Sequence, residues 1–462
     1  MIIKAYHQDF LKPGEDKNLP PELKLTSSPD SRVFEKMLET PYVPTVKEEV
    51  NTPNLTGVVE TIGAEAAIEK ATSTLIGVVE VALAPPGVLF IRDLLTPTFN
   101  LNACKKEDLD LLASLDLDIF PYHDDDNRET PILLVMHMFH QLKLIETFKI
   151  DEICLYRFLR TISSKYRQVP FHNWFHAFNV TQTMYHFLVE CQAKNYLGPL
   201  EILALLVSTL CHDADHPGLN NSFQAKALTK IATLHKKSTL ENHHLLHGYY
   251  ALSFPECNIL ADLNAKDRDS FTRYMRDLIL STDLALHGII LRNMKERKKY
   301  IAKQNSGKNL SVELDYEDTI ILMCCLIKCA DLSNEIRPRN TAVKWAKMVM
   351  DEFIKQSKTE AKMDLAVTTF MDPSKIIIAK EQINFITNLC MPLYQNLQSV
   401  VPNLSIAIKQ MNTNLADWQH RLSSWYTAEQ AAQAANKSIW ERNQIQDKKQ
   451  KLSEFLGKQA SS

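Results

Sequence analysis

The stretch Leu210-Cys211-His212-Asp213-Ala214-Asp215-His216-Pro217-Gly218 packs two imidazoles and two carboxylates into five positions at the end of an apolar run. Buried carboxylates and imidazoles are costly unless paired, hydrogen-bonded or bound to metal. His212 and Asp213 offer a nitrogen and an oxygen to a cation. On a helix, His212 and His216 would lie one turn apart. A second histidine pair at that spacing, His172 and His176, stands upstream in Phe171-His172-Asn173-Trp174-Phe175-His176. Downstream, the apolar run Ile320–Ile327 leads to Asp331, which a buried helix would deliver to a pocket floor. His176, His212, Asp213 and Asp331 together would give two imidazoles and two carboxylates, a set suited to zinc. A second, mostly water-ligated Mg²⁺ or Mn²⁺ could share Asp213 as a bridge. Two ions about 3.5–4 Å apart polarise a water and stabilise in-line attack at phosphorus. Singly, each piece has a plainer reading: a helical His pair packs or faces solvent, and Asp331 caps a helix end. The combination points to a metal-dependent hydrolase.

Helices are expected to position these groups. Apolar residues recur at helical spacing through Pro131–Phe148, Leu200–Leu210, Asp318–Ala330 and Lys375–Leu397. Glycine is scarce, 11 in 462 residues, and alternating strand patterns are few. That favours an all-α bundle with functional residues on helices facing one pocket. The motif-bearing region, residues 105–425, is long enough for a large core. Residues 1–104 read as a largely flexible leader, rich early on in Pro, Glu, Thr and Ser. Within it, Gly57-Val58-Val59-Glu60 recurs as Gly77-Val78-Val79-Glu80, too little to establish a repeat architecture. Residues 426–462 read as a polar tail, with Ala428–Leu456 an exposed helix, and Lys303–Ser311 as a surface loop. The formal net charge of −3 gives no reason to expect a nucleic-acid polymer as partner. Nine scattered cysteines without a Cys-x-x-Cys pair suggest free thiols and a reducing, cytoplasmic setting. The N-terminus lacks a signal-peptide run. Thr74–Ile91 is interrupted by Glu80 and Pro85-Pro86 and makes a poor transmembrane candidate.

The chain resembles the class I cyclic-nucleotide phosphodiesterases. The resemblance rests on His172-Asn173-Trp174-Phe175-His176, the stretch His212–Asn220, Leu240-Glu241-Asn242-His243-His244, Ser281-Thr282-Asp283, Asp331-Leu332-Ser333-Asn334-Glu335, Phe370-Met371-Asp372 and Gln382-Ile383-Asn384-Phe385. These stand in the family's order between about Leu115 and Leu404. Within the family the chain is most similar to the type 9, cGMP-specific branch, through Pro255–Ile259, Ser333–Pro338 and Lys375–Pro392.

The resemblance implies a compact multi-helix domain with a bimetal pocket. It implies His172 as the general acid that protonates the ribose 3′ oxygen. His176, His212, Asp213 and Asp331 match the metal ligands, with Asp213 shared by both metals. His216, Glu241 and Thr282 match positions beside the metals' waters, and Glu241 is expected also to orient His172. Gln382 matches the purine-binding amide, Phe385 and Val349 the two walls of the purine clamp, and Asn334 a further nucleotide contact. Phe353 stands where the type 9 branch carries tyrosine, and Glu381 where it carries a small residue; both bear on which purine is preferred. Lys355–Val367 would lie near the pocket as a flexible cover. The expected reaction is hydrolysis of a 3′,5′-cyclic nucleotide, cGMP favoured, to the 5′-monophosphate. A cAMP-preferring or dual enzyme, an HD-type phosphohydrolase on another nucleotide, and a silent cyclic-nucleotide binder are the alternatives. A homodimer is left open.

Overall fold

The computed structural model describes residues 99–124, 126–305, 315–373 and 376–434. Among them every regular element is helical. The longer helices are α1 (Glu129–Gln141), α2 (Glu152–Lys165), α3 (Trp174–Val189), α4 (Pro199–Cys211), α5 (Thr239–Ser253), α6 (Ala265–Ser281), α7 (His287–Asn305), α8 (Tyr316–Asp331), α9 (Arg339–Lys362), α10 (Ile378–Phe385), α11 (Met391–Gln398) and α12 (Ser405–Ala434).

The centre is built from α3, α4 and α8, which are buried on nearly every side. Proline opens α4, where its missing N–H costs nothing, and the helix is then buried from Ile202 through Cys211. Each fully buried Leu or Ile there contributes about 1.5–3 kcal/mol. Asn173 caps α3, its side chain accepting the N–H groups of Phe175 and His176 at 3.0 and 3.4 Å. Asp315 caps α8 in the same way through Asp318 N–H, 2.8 Å. Around this centre α6 packs on both α4 and α8, while α10 packs on α9 and α12.

Buried polar groups inside this core are satisfied by specific partners, as burial requires. Gln182 on α3 donates to the carbonyls of Leu112 and Ser114, both at 2.8 Å. The fully buried Arg337 donates to Gln182 Oε1, Thr183 Oγ1 and the Asn179 carbonyl. Lys328, fully buried on α8, reaches the carbonyls of Ser281, Thr282 and Asp283 at 3.0, 3.1 and 3.0 Å. Its ammonium thus closes the C-terminal end of α6, where orphan carbonyls and the helix dipole favour a cation.

Three expectations about the elements change. Pro131–Phe148 is two helices, broken at Lys143, which takes a left-handed φ of 57°. Lys375–Leu397 is also divided: α10 passes through a π turn at Ile386–Cys390 into α11. Pro392 cannot donate a backbone bond, and a π turn just before it absorbs the lost register. Lys355–Lys362 is the end of α9 rather than a loose cover. The buried Glu360 anchors the segment after that helix by accepting Thr368 N–H at 2.7 Å and Oγ1–H at 2.9 Å. The leader up to residue 98, residues 306–314 and the tail beyond Ala434 lie outside the described residues. No helix among the described residues is long and apolar enough to cross a membrane.

Candidate active site

His212 closes α4, and its Nδ1 donates to the Thr209 carbonyl at 2.8 Å. That bond fixes the tautomer and turns the Nε2 lone pair outward. From there Nε2 lies 3.2 Å from Asp213 Oδ2, 3.3 Å from Asp331 Oδ1 and 3.3 Å from His176 Nε2. His176 Nε2 lies in turn 3.4 Å from Asp213 Oδ2 and 3.2 Å from Asp331 Oδ1. A tetrahedron with such edges has its centre about 2.0 Å from each corner, the bonding distance of zinc to nitrogen and oxygen. Burial opposes a charge on His212, yet Asp213 and Asp331 outweigh it and draw its pKa well above the ordinary imidazole range. Two crowded carboxylates therefore favour positive charge here, which a divalent ion would supply. These four residues fit a metal.

A second face of Asp213 has the same character. Its Oδ1 lies 3.5 Å from His244 Nε2. His244 Nδ1 donates to the Ala214 carbonyl at 2.7 Å, and burial lowers the pKa of this ring to about 3. Two acceptors thus face each other, an arrangement that a cation or its water reconciles. His216 Nδ1 accepts the Gly218 N–H at 3.0 Å, which leaves the ring proton on Nε2. Asp213, His216 and His244 can bring one ligand atom each within 4.8 Å of one another. Glu241 accepts both its bonds from Asn221, at 3.1 and 3.0 Å, and burial together with Asp283 raises its pKa to about 8. The Thr282 hydroxyl donates to Ile279 O at 2.7 Å, leaving its oxygen free to accept.

The turn between these faces is not helical. Helix α4 ends at Cys211 with His212 as its cap, and His216 lies beyond the turn that follows, so the two are not one helical turn apart. Gly218 ends the turn at φ 71°, where a Cβ would come within 3.1 Å of Val169 and 3.6 Å of Glu352. Asn220 then ties the segment to α9: its N–H donates to Gln356 Oε1 at 2.8 Å and its Oδ1 accepts from Gln356 Nε2 at 3.0 Å.

His172 stands just before the cap of α3, so its pairing with His176 is also not a full helical turn; the rings are 5.6 Å apart. The His216 ring stacks on it at 4.1 Å. His172 Nδ1 bonds Glu352 Oε1 at 2.5 Å, and Glu352 Oε2 accepts the N–H groups of Phe171 and His172 at 2.9 and 3.1 Å. Burial disfavours a charged His172, but Glu352 foremost, with Asp213 and Asp331, raises its pKa to about 9. The same pair holds the buried Glu352 down at about 2. Glu352 is therefore the residue that aims His172; Glu241, expected in that place, bonds Asn221 instead. Sequence reasoning passed over Glu352, although helical spacing sets it on one face of α9 with Val349 and Phe353.

That face leads to the proposed purine pocket. Val349 and Phe353 are half-buried on α9, and Phe370 meets Phe353 edge-on at 5.6 Å. Gln382 and Phe385, three apart on α10, share the face of a helix packed on α9. Gln382 is buried. Asn334 Oδ1 and Glu381 Oε2 are buried with no partner among the described residues, and burial raises the pKa of Glu381.

An all-α core that gathers two imidazoles and two carboxylates around one point, with a carboxylate-held histidine beside it, defines the class of metal-dependent phosphohydrolases. The 3′5′-cyclic nucleotide phosphodiesterase family matches residues 171–411, more than half of the chain. The chain is 35% identical over 326 residues to the 3′,5′-cyclic-nucleotide phosphodiesterase regA of Dictyostelium discoideum, covering 70% of this chain and 40% of that one. It is 33% identical over 307 residues to the high affinity cGMP-specific 3′,5′-cyclic phosphodiesterase 9A of Mus musculus, covering 66% and 55%. The chain thus spans about half the length of these relatives. The phosphodiesterase domain of a rhodopsin phosphodiesterase fusion from Salpingoeca rosetta superposes with a TM-score of 0.62 at 30% identity, over 68% of this chain and 97% of that one. This chain belongs to the 3′,5′-cyclic nucleotide phosphodiesterase family.

Proposed function

We propose that the chain hydrolyses a 3′,5′-cyclic purine nucleotide, cGMP in preference, to the 5′-monophosphate and so ends a cyclic-nucleotide signal. The observation that carries the reading is the juxtaposition of His172, held through Nδ1 by Glu352, with the four-ligand cluster. His176, His212, Asp213 and Asp331 would hold zinc, and Asp213 would extend to Mg²⁺ or Mn²⁺ on the side of His216, Glu241, His244 and Thr282. Bound metals activate water and neutralise charge developing on the phosphoryl group. The chain's residues do the rest. With Nδ1 committed to Glu352, His172 presents Nε2–H to the leaving 3′ oxygen, which takes that proton as the phosphorus–oxygen bond breaks. Gln382 pairs with the purine edge through an amide that both donates and accepts. Phe385 and Val349 clamp the base, with Asn334, Phe353 and Glu381 completing the pocket.

The preference for cGMP draws on the cGMP-specific relatives, 9A above and a cGMP-specific phosphodiesterase 3 of Dictyostelium discoideum at 31% identity. The catalytic unit is placed at 105–425, and nine free cysteines support a cytoplasmic, reducing setting. The test is hydrolysis of cGMP and cAMP side by side with Mg²⁺ and a chelator control. Chelator-sensitive conversion of cGMP to 5′-GMP is expected. Equal or preferential cAMP hydrolysis would keep the reaction and overturn the preference. No hydrolysis of either with metals bound would overturn the reaction itself.

A further inference from the structure

The turn after α4 looks in two directions. Asp213 and His216 face the cluster, while Asp215, at a left-handed φ of 63°, turns its carboxylate outward. Asp tolerates that backbone better than most residues, and Asp215 N–H is fixed to the Lys165 carbonyl at 3.0 Å. Helix α5 divides in the same way. His244 points in at Asp213, and its neighbour His243 points out. There His243 Nε2 lies 2.8 Å from Asp215 Oδ2, and His247 Nε2, one turn further along α5, lies 3.4 Å from the same oxygen. The two rings sit 4.5 Å apart, nearly perpendicular.

We infer that Asp215, His243 and His247 form a further transition-metal site, distinct from the catalytic cluster, that takes one zinc-class ion with solvent completing its coordination. The three ligand atoms lie within 4.8 Å of one another. An ion bonded tetrahedrally at about 2.0–2.1 Å spaces its ligands about 3.3–3.4 Å apart; the 3.4 Å His247 contact matches this, and the 2.8 Å His243 contact, a hydrogen bond here, would open by about half an ångström on metal binding. Two histidines at i, i+4 and one carboxylate from another segment make a set that zinc, copper and nickel all accept. The side chains are 15–24% exposed, so an ion can enter from solvent. Arg167 grips the carboxylate with Nε and a terminal nitrogen at 2.7 and 2.8 Å, the kind of hydrogen bonding that orients a ligating carboxylate. His247 Nδ1 is buried without a partner among the described residues, so the polar work of that ring falls to Nε2. Opposing charge comes from Arg167 itself and from Lys165, whose Nζ lies over the Tyr250 ring at 5.2 Å. Arg167 is half exposed and its charge is screened by solvent. An ion here would pin the Asp213–His216 turn to α5, the helix that also carries Glu241 and His244.

The experiment counts zinc bound by the full chain at buffered free zinc, by elemental analysis after dialysis, beside His247→Ala and His243→Gln. The difference between parent and variant is the readout, so it does not depend on which nucleotide the pocket takes or how many ions the catalytic cluster holds. One ion per chain lost in both variants is expected, with a rise in Tm on adding zinc to the metal-loaded parent that His247→Ala does not show. Equal stoichiometry in parent and either folded variant would overturn the site.

Discussion

Glu352→Gln tests the central dyad most sharply. The carboxylate accepts three bonds, from His172 Nδ1 and from the N–H groups of Phe171 and His172. Glutamine keeps one acceptor oxygen and none of the charge. His172 stands at about 9 because Glu352 leads the groups that overcome its burial. If the substitution returns His172 to the ordinary 6.5, its protonated fraction at pH 8 falls from roughly nine-tenths to about 3%, an expected loss of about 30-fold in kcat for a general acid. At pH 6 both forms are mostly protonated and the loss from this cause shrinks to less than about twofold. Metals bound at the cluster offset the pull of Asp213 and Asp331 on His172 but leave the Glu352 contribution, which is what the variant removes. The assay is kcat against pH for parent and variant at matched metal content. The alkaline limb should move to lower pH in the variant. An equal loss at pH 6 and pH 8, or no loss at pH 8, would refute the claim that Glu352 keeps His172 charged.

The same structure sets other outcomes. His172→Ala should retain its metal while turnover falls about 10²- to 10⁴-fold; unchanged turnover would remove it as the acid. Asp331→Ala should lose metal by elemental analysis, and full retention would count against its place among the ligands. Glu335 is buried, and burial raises its pKa to about 7 despite the Trp418 Nε1–H donated at 3.1 Å. Its folded pKa lies above the unfolded value of 4.5, so the stability it contributes is complete below that value and is lost as pH rises through about 7. Glu335→Gln should therefore flatten urea stability between pH 5 and 8 and exceed the parent by up to about 3 kcal/mol at pH 8; parallel curves would refute this. Arg337→Met should cost about 3–5 kcal/mol in the same assay, because it leaves buried acceptors on α3 unpaired.

What the chain's sequence made legible divides along a physical line. His212, Asp213, His176 and Asp331 stood out by residue type, since ionisable groups beside apolar runs are rare, and the structure brings these four together. The helices that carry them were legible from periodicity. The errors lie where backbone geometry overrides period. Lys143 breaks a helix by adopting a left-handed conformation, Pro392 forces a π turn, and the Asp213–Asp215 turn takes His216 off the helix that its spacing suggested. Glu352 escaped notice for a different reason. A glutamate in the middle of an amphipathic helix is ordinarily solvated, and sharing a face with Val349 and Phe353 does not by itself say what it touches. Only the docking of α9 against the Phe171–His172 segment converts it into the partner of an imidazole. Lys328 makes the same point from the other side. Within an apolar run it looks like an interruption, yet the end of α6 supplies three carbonyls that no local pattern could announce. Residues that perform chemistry are constrained by what they are and can be found in one dimension. Residues that aim them are constrained by what they touch, and for Glu352 the partners lie some 180 positions away.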